Sequence, residues 1–204
     1  MGMNCKNFAT CLLIITVGYL FYKYVYDGTE YMKSTVDNQY YKVQNVTDKQ
    51  LRADILAILN GKLKIIVNKL SNDTRYNNKQ EVKQLINNWN SGVTIKEVGK
   101  LENDAAYVIN KKNMSFCLQK SQNLTLPELN LITYVGIHEL AHIMSNELGH
   151  GKEFIKNFEF LLEYAKNIEY YDPVLKQVIP LFISLNKLPT SNSYCGVSLE
   201  NSIS

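Results

Sequence analysis

Apolar side chains recur at Leu51, Ile55, Leu59, Leu63, Ile66 and Leu70, steps of three and four that lay one stripe along a long helix. Thr47 with Gln50 predicts its start as a capping box. After the turn-rich SNDTRYNN, the positions Val82, Leu85, Ile86 and Trp89 predict a second helix over Lys79 to Trp89. The pattern then shortens to strand-like runs, Val93 to Val98, Ala105 to Ile109 and Met114 to Leu118, the last two joined by the polar turn Asn110-Lys111-Lys112-Asn113. A third helix starts at a second capping box, Thr125 with Glu128, with Pro127 in its first turn, and is expected to run to about Asn146. On its wheel Leu131, Tyr134, Val135 and Ser145 share a sector with His138 and His142, while Ile137, Leu140, Ile143 and Met144 fall on the other side with Gly136. One face is therefore expected to pack and the other to line a cleft. Phe154, Phe158, Leu161, Leu162 and Ala165 mark one more core helix after Gly151.

The amino-terminal pattern differs. From Phe8 to Tyr22 the run FATCLLIITVGYLFY carries no charge, and with KYVY it approaches the length of a membrane-spanning helix. Bulky Tyr19, Phe21, Tyr22, Tyr24 and Tyr26 stand where a signal peptide would place small cleavage-site residues, so the reading is an uncleaved anchor over residues 1–26 that contacts lipid through residues 8–26. Lys6 on one side, against Lys23, Lys33 and Lys42 on the other, orients the carboxy-terminal domain toward the cytosol. Residues 27–46 are polar without a period and read as a stalk; residues 47–190 form the domain and 191–204 a tail, loose apart from Tyr194-Cys195-Gly196. The expected architecture is a single-pass membrane protein with an α+β domain, in which a small antiparallel sheet precedes the third helix.

Composition adds exclusions. A net charge of +3, spread over scattered lysines, makes no clustered basic face and argues against nucleic acid as a partner. Cys5, Cys11, Cys117 and Cys195 show no Cys-x-x-Cys spacing, which excludes a zinc ribbon or a thioredoxin-type pair; Cys117 and Cys195 are expected as free thiols. Sequons at Asn45, Asn72, Asn113 and Asn123 are no more than the asparagine-rich composition produces by chance.

All three histidines, His138, His142 and His150, fall within HELAHIMSNELGH. Residues four apart share a helix face, so His138 and His142 can aim at one metal while Glu139, roughly 100° around, reaches a metal-bound water. Catalytic zinc takes three protein ligands and keeps a fourth position for water. His150 is the preferred third ligand, because Gly149 can end the helix in a left-handed conformation and turn the chain back beneath the metal. The alternative is a carboxylate about twenty residues past the second histidine, as in thermolysin-like enzymes, which here means Glu163 or Glu159. Glu139 is the expected general base, and Tyr134 or Tyr194 could supply an oxyanion donor, a role left open. The hairpin from Ala105 to Leu118 offers a sheet edge on which an extended peptide could lie.

His-Glu-Leu-Ala-His at 138 to 142, followed by Gly-His-Gly-Lys-Glu-Phe at 149 to 154, resembles the SprT-like and WLM metalloproteases. That resemblance implies a zincin-like fold, zinc held by His138, His142 and His150, Glu139 as base, and Phe154 packed behind the third ligand. The chain lacks the zinc ribbon and basic extension of relatives that act on DNA-bound proteins, and its make-up is similar to uncharacterised HELAH-containing proteins of large DNA viruses. The expectation is a membrane-anchored zinc metallopeptidase acting on proteins or peptides. The alternatives are a non-catalytic zinc module in a membrane or virion and a protease of DNA-bound proteins.

Overall fold

A computed structural model describes residues 8–26, 28–118, 125–172, 176–187 and 193–198. The helices are α1 (Phe8–Tyr26), α2 (Lys49–Asn72), α3 (Gln80–Asn90), α4 (Leu126–Met144) and α5 (Lys152–Lys166). The strands are β1 (Thr29–Lys33), β2 (Tyr40–Gln44), β3 (Thr94–Glu97), β4 (Ala106–Ile109), β5 (Asn113–Phe116), β6 (Glu169–Asp172), β7 (Gln177–Pro180), β8 (Ser193–Tyr194) and β9 (Val197–Ser198).

The α2 stripe is core: Ile55, Leu59, Leu63, Ile66 and Leu70 are buried and Leu51 partly so, and the helix meets α4, which also packs against α3, α5 and β4. From Leu129 to Met144 only His142 is more than slightly exposed. Both faces of α4 are thus largely shielded from solvent, and the face bearing Tyr134, Val135, His138 and His142 lines a cleft, as its wheel suggested. Tight approach of α2 to α4 needs Gly136, where a Cβ would stand 2.6 Å from Leu59 Cδ1 and 3.3 Å from Leu63 Cδ2. At the start of α4 the Glu128 carboxylate accepts the Thr125 N–H (3.2 Å) and hydroxyl (2.8 Å), as its capping box predicts. At α2 the cap is Asp48 rather than Thr47, and Gln50 reaches Lys33 O instead.

The sheet differs from expectation in two ways. It has five strands in the order β1-β2-β3-β5-β4, and it is mixed: β2/β3 and β3/β5 run parallel, β1/β2 and β4/β5 antiparallel. Residues expected to form a stalk supply β1 and β2, with Tyr41 and Val43 buried against the core. Their alternation is masked in sequence by lysines and tyrosines on the outward positions. The expected β4/β5 hairpin forms, with Asn113 already paired in β5: Ile109 lies opposite Asn113 and Ala106 opposite Phe116, which leaves β4 at the sheet edge.

The transmembrane anchor is not supported. None of the described helices is long and apolar enough to cross a membrane. At 1.5 Å per residue the 19 residues of α1 span about 28 Å, short of a roughly 30 Å hydrocarbon core, and Thr16, Gly18, Tyr19 and Lys23 interrupt the apolar run. The single-pass placement and the cytosol-facing orientation fall with it. Cys5, the Asn123 sequon and most of the tail lie outside the described residues.

Enlarging Gly136 tests the α2–α4 contact. Gly136→Val is expected to destabilise the fold by about 2 kcal/mol, because overpacking outweighs the gain in helix propensity. Pairing it with Leu59→Ala should recover part of that loss, a non-additivity of at least about 0.5 kcal/mol in urea-unfolding midpoints; strict additivity would show that the two side chains do not meet.

Candidate metal centre

His138 and His142 sit one turn apart on α4, with ring centroids 5.0 Å apart. His150 comes from the loop after the helix and lies 4.9 Å from the His138 ring and 5.0 Å from the His142 ring. One ligand atom from each falls within 4.8 Å of the other two. His138 Nε2 and His150 Nε2 are 3.1 Å apart. Two nitrogens at 2.0 to 2.1 Å from one tetrahedral zinc stand about 3.3 Å apart, so the spacing fits shared coordination.

The loop at 145–151 is held by side chains from three directions. The carbonyl of Ser145, just past the helix end, accepts from Gln84 Nε2 (3.0 Å) and from the Lys111 ammonium, while Asn157 Nδ2 bonds Ser145 Oγ (3.0 Å). The Glu153 carboxylate accepts the N–H groups of Asn146 (3.1 Å) and Glu147 (3.2 Å), and Glu147 in turn accepts the Phe154 N–H (3.0 Å) at the start of α5. The two acids clasp the loop reciprocally, and Glu147 satisfies a donor that the start of α5 leaves unpaired. Gly149 is left-handed as expected (φ 76°), yet α4 has already stopped at Met144, so this glycine bends the loop rather than capping the helix. At Gly151 a Cβ would stand 2.6 Å from the Glu147 carboxylate, so a larger residue would have to push that carboxylate aside from the Phe154 N–H.

Behind the imidazoles stands Phe154, fully buried, its ring centroid 4.3 Å from His142 in a stacked arrangement, 4.8 Å from His138 and 4.7 Å from His150. Phe158 closes on His138 edge-on at 5.2 Å. Burial among these rings, reinforced by the neighbouring imidazoles, pushes His138 down to about 3 and His142 to about 4, so both are neutral and able to donate a lone pair at neutral pH. Burial likewise pushes Glu139 up to about 8. Glu139 Oε2 and His138 Nδ1 are both buried without a hydrogen-bond partner among the described residues. Such atoms call for an explanation, and a water held beside an ion supplies one for Glu139 Oε2, while His138 Nδ1 lies on the ring edge away from the shared Nε2 spacing.

Neither alternative third ligand is near. Glu163 is exposed and pairs with Lys166 at 2.9 Å, and Glu159 is exposed as well. Their helix turns them outward while presenting Phe154 and Phe158 to the site. The open side of the imidazole cluster is a cleft of about 670 Å3, lined by β4, by Val135 and Glu139 of α4, by Leu148 of the loop and by Tyr194 and Val197 of the β8/β9 hairpin. Tyr194 is buried and its hydroxyl donates to the Cys117 carbonyl, so it serves as a wall; burial and the Glu139 charge push its pKa up. Cys117 and Cys195, expected as free thiols, form a disulfide. Lys111, Glu147 and Glu153 went unread as parts of the site: Lys111 acts on backbone 34 residues away, and the two acids act across a loop whose turn the sequence pattern does not specify. The one local trace was a carboxylate preceding and another opening the α5 segment.

Comparison with known proteins finds viral relatives. The chain is 26% identical over 203 residues to uncharacterized protein R325 of Acanthamoeba polyphaga mimivirus, covering 97% of this chain and 95% of that protein. It is 32% identical over 101 residues to uncharacterized protein 136R of Invertebrate iridescent virus 6 and 33% identical over 73 residues to uncharacterized protein 042R of Invertebrate iridescent virus 3, spanning 55% and 46% of those proteins. No protein-family model matches the chain, and no solved structure matches it. What the chain is similar to is therefore a set of viral proteins.

Proposed function

We propose that this chain is a zinc-dependent metallopeptidase that hydrolyses peptide bonds in proteins. The observation that carries the reading is the buried Glu139 carboxylate beside three clustered imidazoles, at the floor of a cleft bordered by a sheet edge. The likeness of residues 138–154 to SprT-like and WLM proteases supports it. His138, His142 and His150 would hold the ion, and a bound zinc supplies a Lewis acid that polarises a carbonyl and acidifies water.

The chain's own groups do the rest. Glu139 takes the proton of the attacking water and passes it to the departing amine; its basicity, raised by burial, suits both transfers. The edge of β4 offers backbone N–H and C=O groups to an extended peptide, independent of its sequence. The loop clasp and Phe154 hold the imidazoles in position before any ion arrives, so little ordering remains to be done on binding.

Purified full-length chain is expected to bind one zinc and to cleave casein. Glu139→Gln should keep the zinc and lose cleavage by about 100-fold or more, as measured by metal analysis and fluorescent casein release. Equal cleavage by both proteins would refute the role of Glu139. His150→Ala should empty the site while Glu163→Ala leaves it loaded; the reverse result would move the third ligand to α5.

Metal-free protein gives a separate check through pH. Below the ordinary histidine value of 6.5, the unfolded chain takes up protons that buried His138 and His142 refuse, so stability falls toward pH 4. Glu139 acts oppositely: its folded pKa is raised, so stability present below about 4.5 is lost as pH rises to about 8. The melting temperature of the metal-free wild type should therefore decline between pH 6.5 and 8, and Glu139→Gln should abolish that decline while keeping the loss in acid.

A further inference from the structure

Two apolar side chains stand in the open on the lining of the cleft: Leu148, 95% exposed, on the loop that carries His150, and Val197, 45% exposed, on β9. Single exposed apolar residues are ordinary, but two that face one cavity beside a candidate metal centre make a surface that water wets poorly. The charged neighbours on the lining are either engaged or acidic. Lys111 is bound to the Ser145 carbonyl and Glu147 to the Phe154 N–H, while Asp104 adds a carboxylate. Such a lining accepts an aliphatic group and repels an acidic one.

Val197 reaches the cleft on a minimal element. β8 and β9 pair through two rungs, Ser193 with Ser198 and Tyr194 with Val197, around the turn residues Cys195 (φ 47°) and Gly196 (φ 83°). Both turn residues are left-handed, the two-residue hairpin geometry that matches strand twist. An isolated hairpin this short is not stable in water. Two of its ties to the body of the domain converge on one residue: Cys195 is joined to Cys117, 78 residues earlier, and the Tyr194 hydroxyl donates to the Cys117 carbonyl, while the Tyr194 ring packs into the core. Cys117 directly follows β5, the partner of the cleft-lining strand β4.

We propose that Leu148 and Val197 form an apolar subsite selecting a bulky aliphatic side chain beside the bond to be cut, and that the Cys117–Cys195 disulfide keeps the Val197 half of that subsite in place. The inference rests on the peptidase reading for its substrate. It names polypeptides with leucine-like residues as the preferred class, and it makes the cleft complete only in the disulfide-bonded chain.

The test uses zinc-loaded full-length protein and two metal-directed probes, N-acetyl-leucine hydroxamate and N-acetyl-aspartate hydroxamate, titrated by calorimetry. Wild type is expected to prefer the leucine probe by about 10-fold or more. Val197→Asp and Leu148→Asp should each erase most of that preference with one zinc per chain retained, and Cys117→Ala/Cys195→Ala should match Val197→Asp. Equal binding of both probes by wild type, or an unchanged preference in the two aspartate variants, overturns the subsite. Should the cysteine double variant fail to fold, amide exchange over residues 193–198 decides the tether. Phosphine reduction of wild type should speed exchange there, and unchanged exchange overturns it. Casein cleavage is scored separately, so a leucine preference without cleavage removes the peptidase reading and keeps the subsite, whereas cleavage without preference does the opposite.

Discussion

The centre depends on a reciprocal clasp between two carboxylates. Glu153 holds the backbone of Asn146 and Glu147, and Glu147 holds the start of α5 at Phe154. Between these bonds the chain must reverse, and His150 is the residue carried back toward α4. Without the clasp, two histidines on a helix would face an open side with no third nitrogen. With it, Phe154 is delivered by the same turn to the back of all three rings. Positioning and packing thus arise from one short segment.

Charge burial on α4 is the cost of this arrangement. A helix that buries a histidine and a glutamate favours the neutral form of both when no ion is present. Neutral imidazoles are what a metal requires, and a carboxylate of raised basicity is what proton transfer requires. The same desolvation therefore suits both kinds of group to the proposed chemistry, and the surrounding apolar packing of α2, α3 and α5 supplies the stability to tolerate it.

The cleft joins parts far apart in the chain. β4 lies at the sheet edge because β5 pairs with β3 in parallel, and β3 in turn pairs with β2, drawn from residues whose sequence shows no strand alternation. The carboxy-terminal hairpin reaches the cleft through a disulfide spanning 78 residues. Neither connection has a local signal, since a parallel pairing and a long-range bridge are decided by what the rest of the fold brings together.

Local order was readable wherever one residue's neighbours in sequence are also its neighbours in space. The stripe of α2, the Thr125–Glu128 cap, the β4/β5 hairpin and the four-residue spacing of His138 and His142 are all of that kind. The amino-terminal run shows the limit: hydrophobicity alone suggested a membrane span that the length and make-up of α1 do not support. Tertiary structure alone decided that both faces of α4 are buried, that the candidate stalk is sheet, that Glu163 turns away while His150 turns in, and that Cys117 meets Cys195. Each of these is a choice among surfaces competing for one core, and such a competition is settled by packing between segments, which no single stretch of sequence contains.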